Sequence, residues 1–140
     1  MVEYFRSKSE RREAKGHRLS RRRFEQLVAG ALKGLPEEFR RRLDNVAVIV
    51  KDKPSAETLT RQGLGTGETL LGLYEGIPLT DRTSAYGLVL PDRLTIFQQP
   101  IEEMCRTEAE IKRQVQRTVI HEVGHFFGIS DAELERLGWG

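Results

Sequence analysis

Apolar residues recur at helical spacing in two consecutive segments near the start of the chain. From Phe24 they fall three or four positions apart as far as Leu32, and Gly34 ends the pattern. Pro36 then opens a second segment that runs to Leu43, and it occupies a first-turn position where a helix needs no amide hydrogen. The pattern therefore predicts two short helices in series.

Three short apolar runs are typical of β-strands. Val46–Val50 is β-branched and too short for a helix, which predicts a strand buried on both faces. Leu70–Tyr74 and Leu94–Phe97 are the other strand candidates, and Pro100 ends the last one. Glycines and prolines interrupt residues 51–92, where we expect long loops or hairpins.

The longest helical pattern lies in the last third of the chain. Thr107, with Glu110 three residues later, forms a capping box at its start, and Gly128 is suited to end it. Ser130 and Glu133 form a second capping box, which predicts one more helical turn after the long helix.

These elements predict one α+β domain over residues 24–140, with a small mixed sheet of about three or four strands packed on the N-terminal helices and the long helix. A chain of 140 residues, 38% hydrophobic and 31% charged, is sufficient for one core without disulfide bonds. The single cysteine, Cys105, is expected to pack as a small apolar residue in a reduced, cytoplasmic protein. The longest unbroken apolar run, Val46–Val50, is far too short to cross a membrane.

Positive charge is concentrated near the N-terminus. Residues 1–45 contain 13 Lys and Arg against 7 Asp and Glu, whereas residues 46–140 contain 10 against 14. Residues 1–23 show no apolar periodicity and predict a basic arm, flexible or partly helical, with His17 exposed to solvent. Because Arg6–Arg23 contains no aromatic residue on which bases could stack, the arm argues against a nucleic-acid partner.

One motif in the long helix carries recognisable chemistry. Residues 121–131 have the pattern H-E-x-x-H-x-x-G-x-x-D, which arises by chance in such a chain on the order of once in 40,000. His121 and His125 lie roughly 40° apart around the helix and about 6 Å apart along its axis, so both imidazoles can reach one metal ion. Zinc accepts such a pair and keeps a position for water in a catalytic site. Glu122 is placed to act on that water as a general base.

A catalytic zinc site needs a third protein ligand. Gly128 can turn the chain back at the helix end, and Asp131 follows three residues later as the candidate carboxylate. Asp131 also has a competing role within the capping box of the last helix, in which case Glu133 or Glu135 would substitute as the ligand. We expect one Zn²⁺ per chain, while manganese, nickel and iron also bind two imidazoles and a carboxylate.

H-E-x-x-H marks the zincin metallopeptidases, and the pattern over residues 121–131 resembles the third-ligand spacing of metzincins, with aspartate in place of the usual histidine. The nine residues after Asp131 contain no methionine, so the methionine-bearing turn of that group is missing, and they are too few for the later glutamate helix of gluzincins. The chain instead resembles a small bacterial family of minimal zincins. The similarity runs from Phe24 to Gly138 and includes Asn45–Val50, Gly72–Tyr74, Leu79–Arg82 and Leu90–Phe97.

This resemblance implies a compact zincin-like fold, a zinc site formed by His121, His125 and Asp131, and Glu122 as the catalytic base. It also implies hydrolysis of a peptide bond in a peptide or protein substrate by a metal-activated water.

Such a reaction also needs groups that bind the substrate. Tyr74, Tyr86 and Arg82 are candidates, by residue type, for a second donor to the oxyanion. The strand Leu94–Phe97 is a candidate edge on which a peptide could pair.

Two other functions compete with peptide hydrolysis. The first is a non-catalytic metal-binding protein that regulates or binds a partner, because little chain follows Asp131 to form the lower wall of a cleft. The second, a nucleic-acid-binding domain with a structural zinc, is disfavoured because such sites usually have four protein ligands that include cysteines. Trp139 either covers a hydrophobic edge or marks a contact surface.

Overall fold

A computed structural model describes residues 3–6, 18–76 and 90–139 of the chain. Within these ranges the elements follow in the order β1 (Glu3–Arg6), α1 (Arg21–Lys33), α2 (Glu37–Arg42), β2 (Val46–Lys51), α3 (Ala56–Arg61), β3 (Glu68–Glu75), β4 (Asp92–Phe97), α4 (Gln98–Met104), α5 (Glu108–Phe126) and α6 (Asp131–Arg136). Among the described residues, the helices are all too short or too polar to cross a lipid bilayer.

The four strands form one mixed sheet in the order β1-β3-β4-β2. Strand β3 is antiparallel to both β1 and β4, whereas β2 and β4 are parallel, with Val48 opposite Leu94. Helices α1 and α5 pack together, and α5 also lies against β3. The predicted α+β class, with a small mixed sheet against a long helix, is confirmed.

Local sequence signals position the long helix α5. The Thr107 side chain accepts a hydrogen bond from the amide of Glu110 at the predicted N-terminus, and Gly128 adopts a left-handed φ of 81° just beyond the C-terminus. One side of the helix is fully buried in the main core. Its apolar members are Ile111, Val115, Val119, Ile120 and Val123.

The positions of β2 and β4 in the sheet are the reverse of those that the sequence predicts, because β2 lies at the edge and β4 in the interior. Val46–Val50 is predicted to be buried on both faces, but β2 is an edge strand of the described sheet and its residues are only half-buried. Leu94–Phe97 is predicted as an edge for peptide pairing, yet β4 is central and already bonded to β2 and β3. The edge prediction was wrong because strand order is determined by contacts between distant segments, which apolar runs do not encode.

Helices α3 and α4 were not predicted. Ser55 caps α3 by accepting a hydrogen bond from the amide of Thr58, but this helix buries none of its residues and so shows no apolar periodicity. Pro100 was interpreted as the end of a strand. It instead lies in the first turn of α4, where proline is well tolerated, immediately after β4.

The structure differs from the predicted arm, residues 1–23, at both of its ends. Residues 3–6 pair with β3 as strand β1, and α1 begins at Arg21 after the cap formed by Ser20. A four-residue strand stabilised by pairing with a distant segment is too short to show a periodicity of its own. Residues 7–17, which include His17, lie outside the described residues.

Candidate metal centre and catalytic residues

Two histidines project from α5 on the side away from its apolar face. His121 and His125 are one turn apart, with ring centroids separated by 5.7 Å, and both are partly exposed. The i and i+4 spacing in the sequence therefore becomes a pair of adjacent imidazoles at the C-terminal end of the helix.

Asp131 reaches the same place from the first turn of α6. Gly128 reverses the chain after α5, and the amide of Ile129 then donates to the carbonyl of Gly124 at 2.7 Å. This turn places Oδ1 of Asp131 2.6 Å from Nε2 of His125. The hydrogen bond from His125 holds the pKa of the Asp131 carboxyl below its usual value.

The competing role of Asp131 as a helix cap is taken by its neighbour. Ser130 is the N-cap of α6, and its side chain accepts from the amide of Glu133 at 3.1 Å. The Glu133 carboxylate pairs with Arg136, which orients it along α6. In the described part of the chain, the ligand atoms of His121, His125 and Asp131 lie within 4.8 Å of one another. That cluster does not include the proposed substitutes Glu133 and Glu135.

The donor set of this cluster matches the chemistry of a divalent transition metal. Two imidazole nitrogens and one carboxylate oxygen are a common protein ligand set for catalytic zinc, whose bonds of about 2.0–2.1 Å put tetrahedral ligand atoms roughly 3.3 Å apart. The 4.8 Å cluster is thus within small side-chain adjustments of a zinc site. For a metal to bind Nε2 of His125, the hydrogen of the neutral ring would have to sit on Nδ1, which is buried and has no hydrogen-bond partner among the described residues.

Glu122 lies beside the cluster and is not part of it. Its side chain is only 2% exposed and lies between α5 and β3, where Oε1 accepts a 2.9 Å hydrogen bond from the amide of Tyr74. Gly72 permits this close approach, because a Cβ there would lie 2.7 Å from Cγ2 of Thr118 and 3.7 Å from Cγ of Glu122. The carboxylate is therefore held by a strand, separately from the three candidate ligands.

The segment that follows α6 also contacts the histidine pair. The carbonyl oxygen of Trp139 lies 2.7 Å from Nε2 of His121, and since a carbonyl only accepts, this nitrogen carries the hydrogen. Gly138, with a φ of 91°, ends α6, and the amide of Trp139 donates to the carbonyl of Leu134 at 2.8 Å. Trp139 also packs against the main core, in agreement with one of its two predicted roles.

Of the three candidates for an oxyanion donor, only Tyr74 lies within the described residues. The Tyr74 hydroxyl donates to Oδ2 of Asp92 at 2.7 Å, and both side chains are buried, so this hydrogen is already used within the protein. Arg82 and Tyr86 lie outside the described residues.

Two phenylalanines that follow His125 are more exposed than the helical pattern predicts. Phe126 and Phe127 extend the apolar arc of α5, yet they are 47% and 43% exposed. The Phe126 ring lies 4.1 Å from the ring of Tyr74, and the guanidinium of Arg42 lies 4.7 Å from the centroid of Phe127. They form an aromatic surface next to the histidine pair, because α5 ends there and the contacts from Tyr74 and Arg42 leave both rings partly exposed.

Sequence reasoning missed the contacts that come from distant segments. The amide of Tyr74 and the carbonyl of Trp139 are backbone groups, which leave no residue-type signal. Gly72 did carry one, since a glycine inside an otherwise apolar strand often marks a close approach of another element.

Comparison with known proteins places the chain in a class. A family model described as zincin-like metallopeptidase matches residues 43–139, which is more than half of the chain and includes α5 and α6. The chain therefore belongs to the zincin-like metallopeptidase family, and the resemblance noted from its motif is confirmed.

One similar solved structure is a conserved hypothetical protein from Thermo thermophilus. It is 26% identical, the match covers 78% of this chain and 94% of that one, and the TM-score is 0.49. No curated protein matches the chain.

Proposed function

We propose that the protein is a zinc-dependent peptidase, with His121, His125 and Asp131 as the metal ligands and Glu122 as the general base. The observation that supports this most directly is the convergence of the three ligand atoms within 4.8 Å, next to a carboxylate that is held apart from them. Membership of the zincin-like metallopeptidase family supports hydrolysis of a peptide bond in a peptide or protein as the reaction.

When bound, zinc would polarise the scissile carbonyl and lower the pKa of a coordinated water. Glu122 accepts a proton from the attacking water as the new carbon–oxygen bond forms, and it returns that proton to the amine nitrogen as the carbon–nitrogen bond breaks. The hydrogen bond from the Tyr74 amide fixes the orientation of the Glu122 carboxylate before the substrate arrives. Asp131 contributes the one negative charge of the ligand set.

The burial of Glu122 favours a second candidate function. A general base must reach water, and a side chain that is 2% exposed needs the bound substrate or a small motion to open a path. A protein that binds metal and a partner without cleaving anything needs no such path. The experiment below separates the two functions.

The test compares metal content and proteolysis in the same preparations. Zinc is measured by elemental analysis and cleavage with dye-quenched casein, for the native protein, His125→Ala and Glu122→Gln. Glu135→Gln is the matched control, because it removes an exposed glutamate near the site without touching the cluster. For a peptidase we expect about one zinc per chain in all but His125→Ala, and cleavage only by the native protein and Glu135→Gln.

Two results would change the conclusion. Stoichiometric zinc together with no cleavage of casein or of shorter peptides would support the metal-binding alternative. Native protein without zinc after exposure to the metal would contradict both functions.

A further inference from the structure

Two arginines continue the row of side chains that leads to the candidate metal centre. Arg113, Arg117, His121 and His125 follow one another at four-residue intervals along α5. Side chains spaced by four residues are neighbours on a helix, and each step advances about 6 Å along the axis. The arginines therefore extend from the histidine pair towards the N-terminal end of α5.

A cavity of about 300 Å³ lies beside these arginines. It is lined by Arg113, Gln116, Arg117, Gly138 and Trp139. Trp139 connects the cavity to the candidate metal centre, because its carbonyl oxygen is the one that lies 2.7 Å from Nε2 of His121. Trp139 thus contacts both the cavity and the histidine pair.

The two guanidinium groups of the cavity are not neutralised by the described part of the chain. Five other arginines pair with carboxylates, namely Arg21, Arg23, Arg40, Arg93 and Arg136. Within the described ranges, Arg113 and Arg117 have neither an ion pair nor a hydrogen bond from their side chains. Like charges four residues apart on a helix repel each other, so an anion between them would relieve the repulsion.

We propose that Arg113 and Arg117 bind a carboxylate of the peptide substrate and so orient the chain along α5 towards the metal. This inference rests on the proposed peptidase function. Guanidinium groups bind carboxylates through two parallel hydrogen bonds, which fixes direction as well as position. The cavity has room for one side chain or chain terminus, whereas a nucleic acid requires a basic groove that follows many phosphates.

The test uses Trp139, the single tryptophan of the chain, as a fluorescent probe in the wall of the cavity. Zinc-loaded Glu122→Gln protein, which is expected not to cleave, is titrated with three alanine-rich octapeptides. The first has no carboxylate, the second has one glutamate side chain, and the third has a free C-terminus as its only carboxylate. The second and third peptides distinguish a side-chain carboxylate from a terminal one.

We expect at least one of the acidic peptides to change the Trp139 emission and to bind about tenfold more tightly than the neutral peptide. Arg113→Gln and Arg117→Gln should each remove most of this preference. Lys112→Gln is the matched control, because it removes one positive charge from the same helix at a residue that faces Gly30 of α1. It should change the affinity by less than about twofold, the effect of an exposed charge screened by salt.

Equal binding of all three peptides, or an equal effect of Lys112→Gln and Arg117→Gln, would overturn the proposal. Binding of a single-stranded oligonucleotide that depends on both arginines, without binding of acidic peptides, would overturn it in favour of a phosphate ligand. Zinc content and casein cleavage are measured separately on native protein. Acidic-peptide binding that depends on both arginines, together with zinc binding but no cleavage of casein by the native protein, would contradict the peptidase function and leave the carboxylate site standing.

Discussion

Oδ1 of Asp131 lies closer to Nε2 of His125 than two ligands of one tetrahedral zinc ion can lie. The distance is 2.6 Å, against roughly 3.3 Å between ligand atoms at zinc bond lengths of about 2.0–2.1 Å. The contact is a hydrogen bond, so a metal ion would have to take the place of its hydrogen, which the neutral ring can carry on Nδ1 instead, and separate the two atoms. Metal binding at this nitrogen and the hydrogen bond to Asp131 therefore exclude each other.

We expect zinc binding to release a proton and to strengthen as the pH rises. Metal ligands must be deprotonated, so protons compete with the metal for the two imidazoles and the carboxylate as the pH falls. Calorimetric titrations at one pH in two buffers of different ionisation enthalpy measure the number of protons released. Identical binding heats in the two buffers would show that no proton leaves.

Asp131→Asn should weaken zinc binding by more than about tenfold, because an amide oxygen is a poorer ligand than a carboxylate. Glu133→Gln, two residues further along the same helix turn, should leave the affinity within about twofold, since its carboxylate pairs with Arg136. Competition with a fluorescent zinc chelator measures both. A similar loss in the two variants would mean that only the general charge of α6 matters.

Gly72→Ala should destabilise the protein by about 1–3 kcal/mol, the usual effect of overpacking. The added methyl group would meet Cγ2 of Thr118 at 2.7 Å and the carbonyl oxygen of Thr95 at 3.2 Å, which forces α5 away from β3. Gly65→Ala is the control, because the nearest atom there is a flexible Glu68 oxygen at 3.6 Å. Urea unfolding measures both changes, and adding Thr118→Ala should recover part of the loss. Equal stability of the two glycine variants would contradict the close approach.

Cys105 should resist thiol reagents in the folded protein. It is 3% exposed within the main core, as its predicted packing role requires, and burial raises the pKa of its thiol to about 12. At pH 8 the thiolate fraction is then roughly a thousandfold below that of an ordinary cysteine, so reaction with Ellman's reagent should be slow until urea is added. The raised pKa also predicts a gradual loss of stability above about pH 9, where the unfolded chain ionises first. Rapid labelling of the native protein would contradict this burial.

The parts of the structure that were predictable from the sequence are those determined by neighbouring residues. Capping residues set the two ends of α5, with Thr107 at its start and Gly128 just after its end. The four-residue spacing of His121 and His125 places both rings side by side on any helix. The position of Asp131 near the histidines was predictable from local sequence too, because a left-handed glycine after α5 returns the chain towards the helix end.

The rest depends on segments that are far apart in the chain. The residues around Val46 and Leu94 contain no signal that distinguishes the edge strand β2 from the central strand β4, because both runs are apolar and of similar length. The hydrogen bond from Tyr74 to Glu122 spans 48 residues and uses a backbone amide that every residue but proline provides. The exposure of Phe126 could not be predicted from the sequence for a related reason. Apolar periodicity identifies one face of a helix, but it does not show whether another element covers that face.

Helix α6 is only six residues long, yet its first residue and the segment just after it contact the two histidines of the candidate metal centre. Asp131 at its start contacts His125, and Trp139 just after its end contacts His121. Fraying of this one short helix would withdraw both contacts in a single event, and only the ordered fraction of molecules would present the complete site. The apparent metal affinity would then be the intrinsic affinity scaled by that fraction. Hydrogen exchange of the α6 amides would in that case slow when zinc is added, which makes the last helix a local folding unit that the metal itself stabilises.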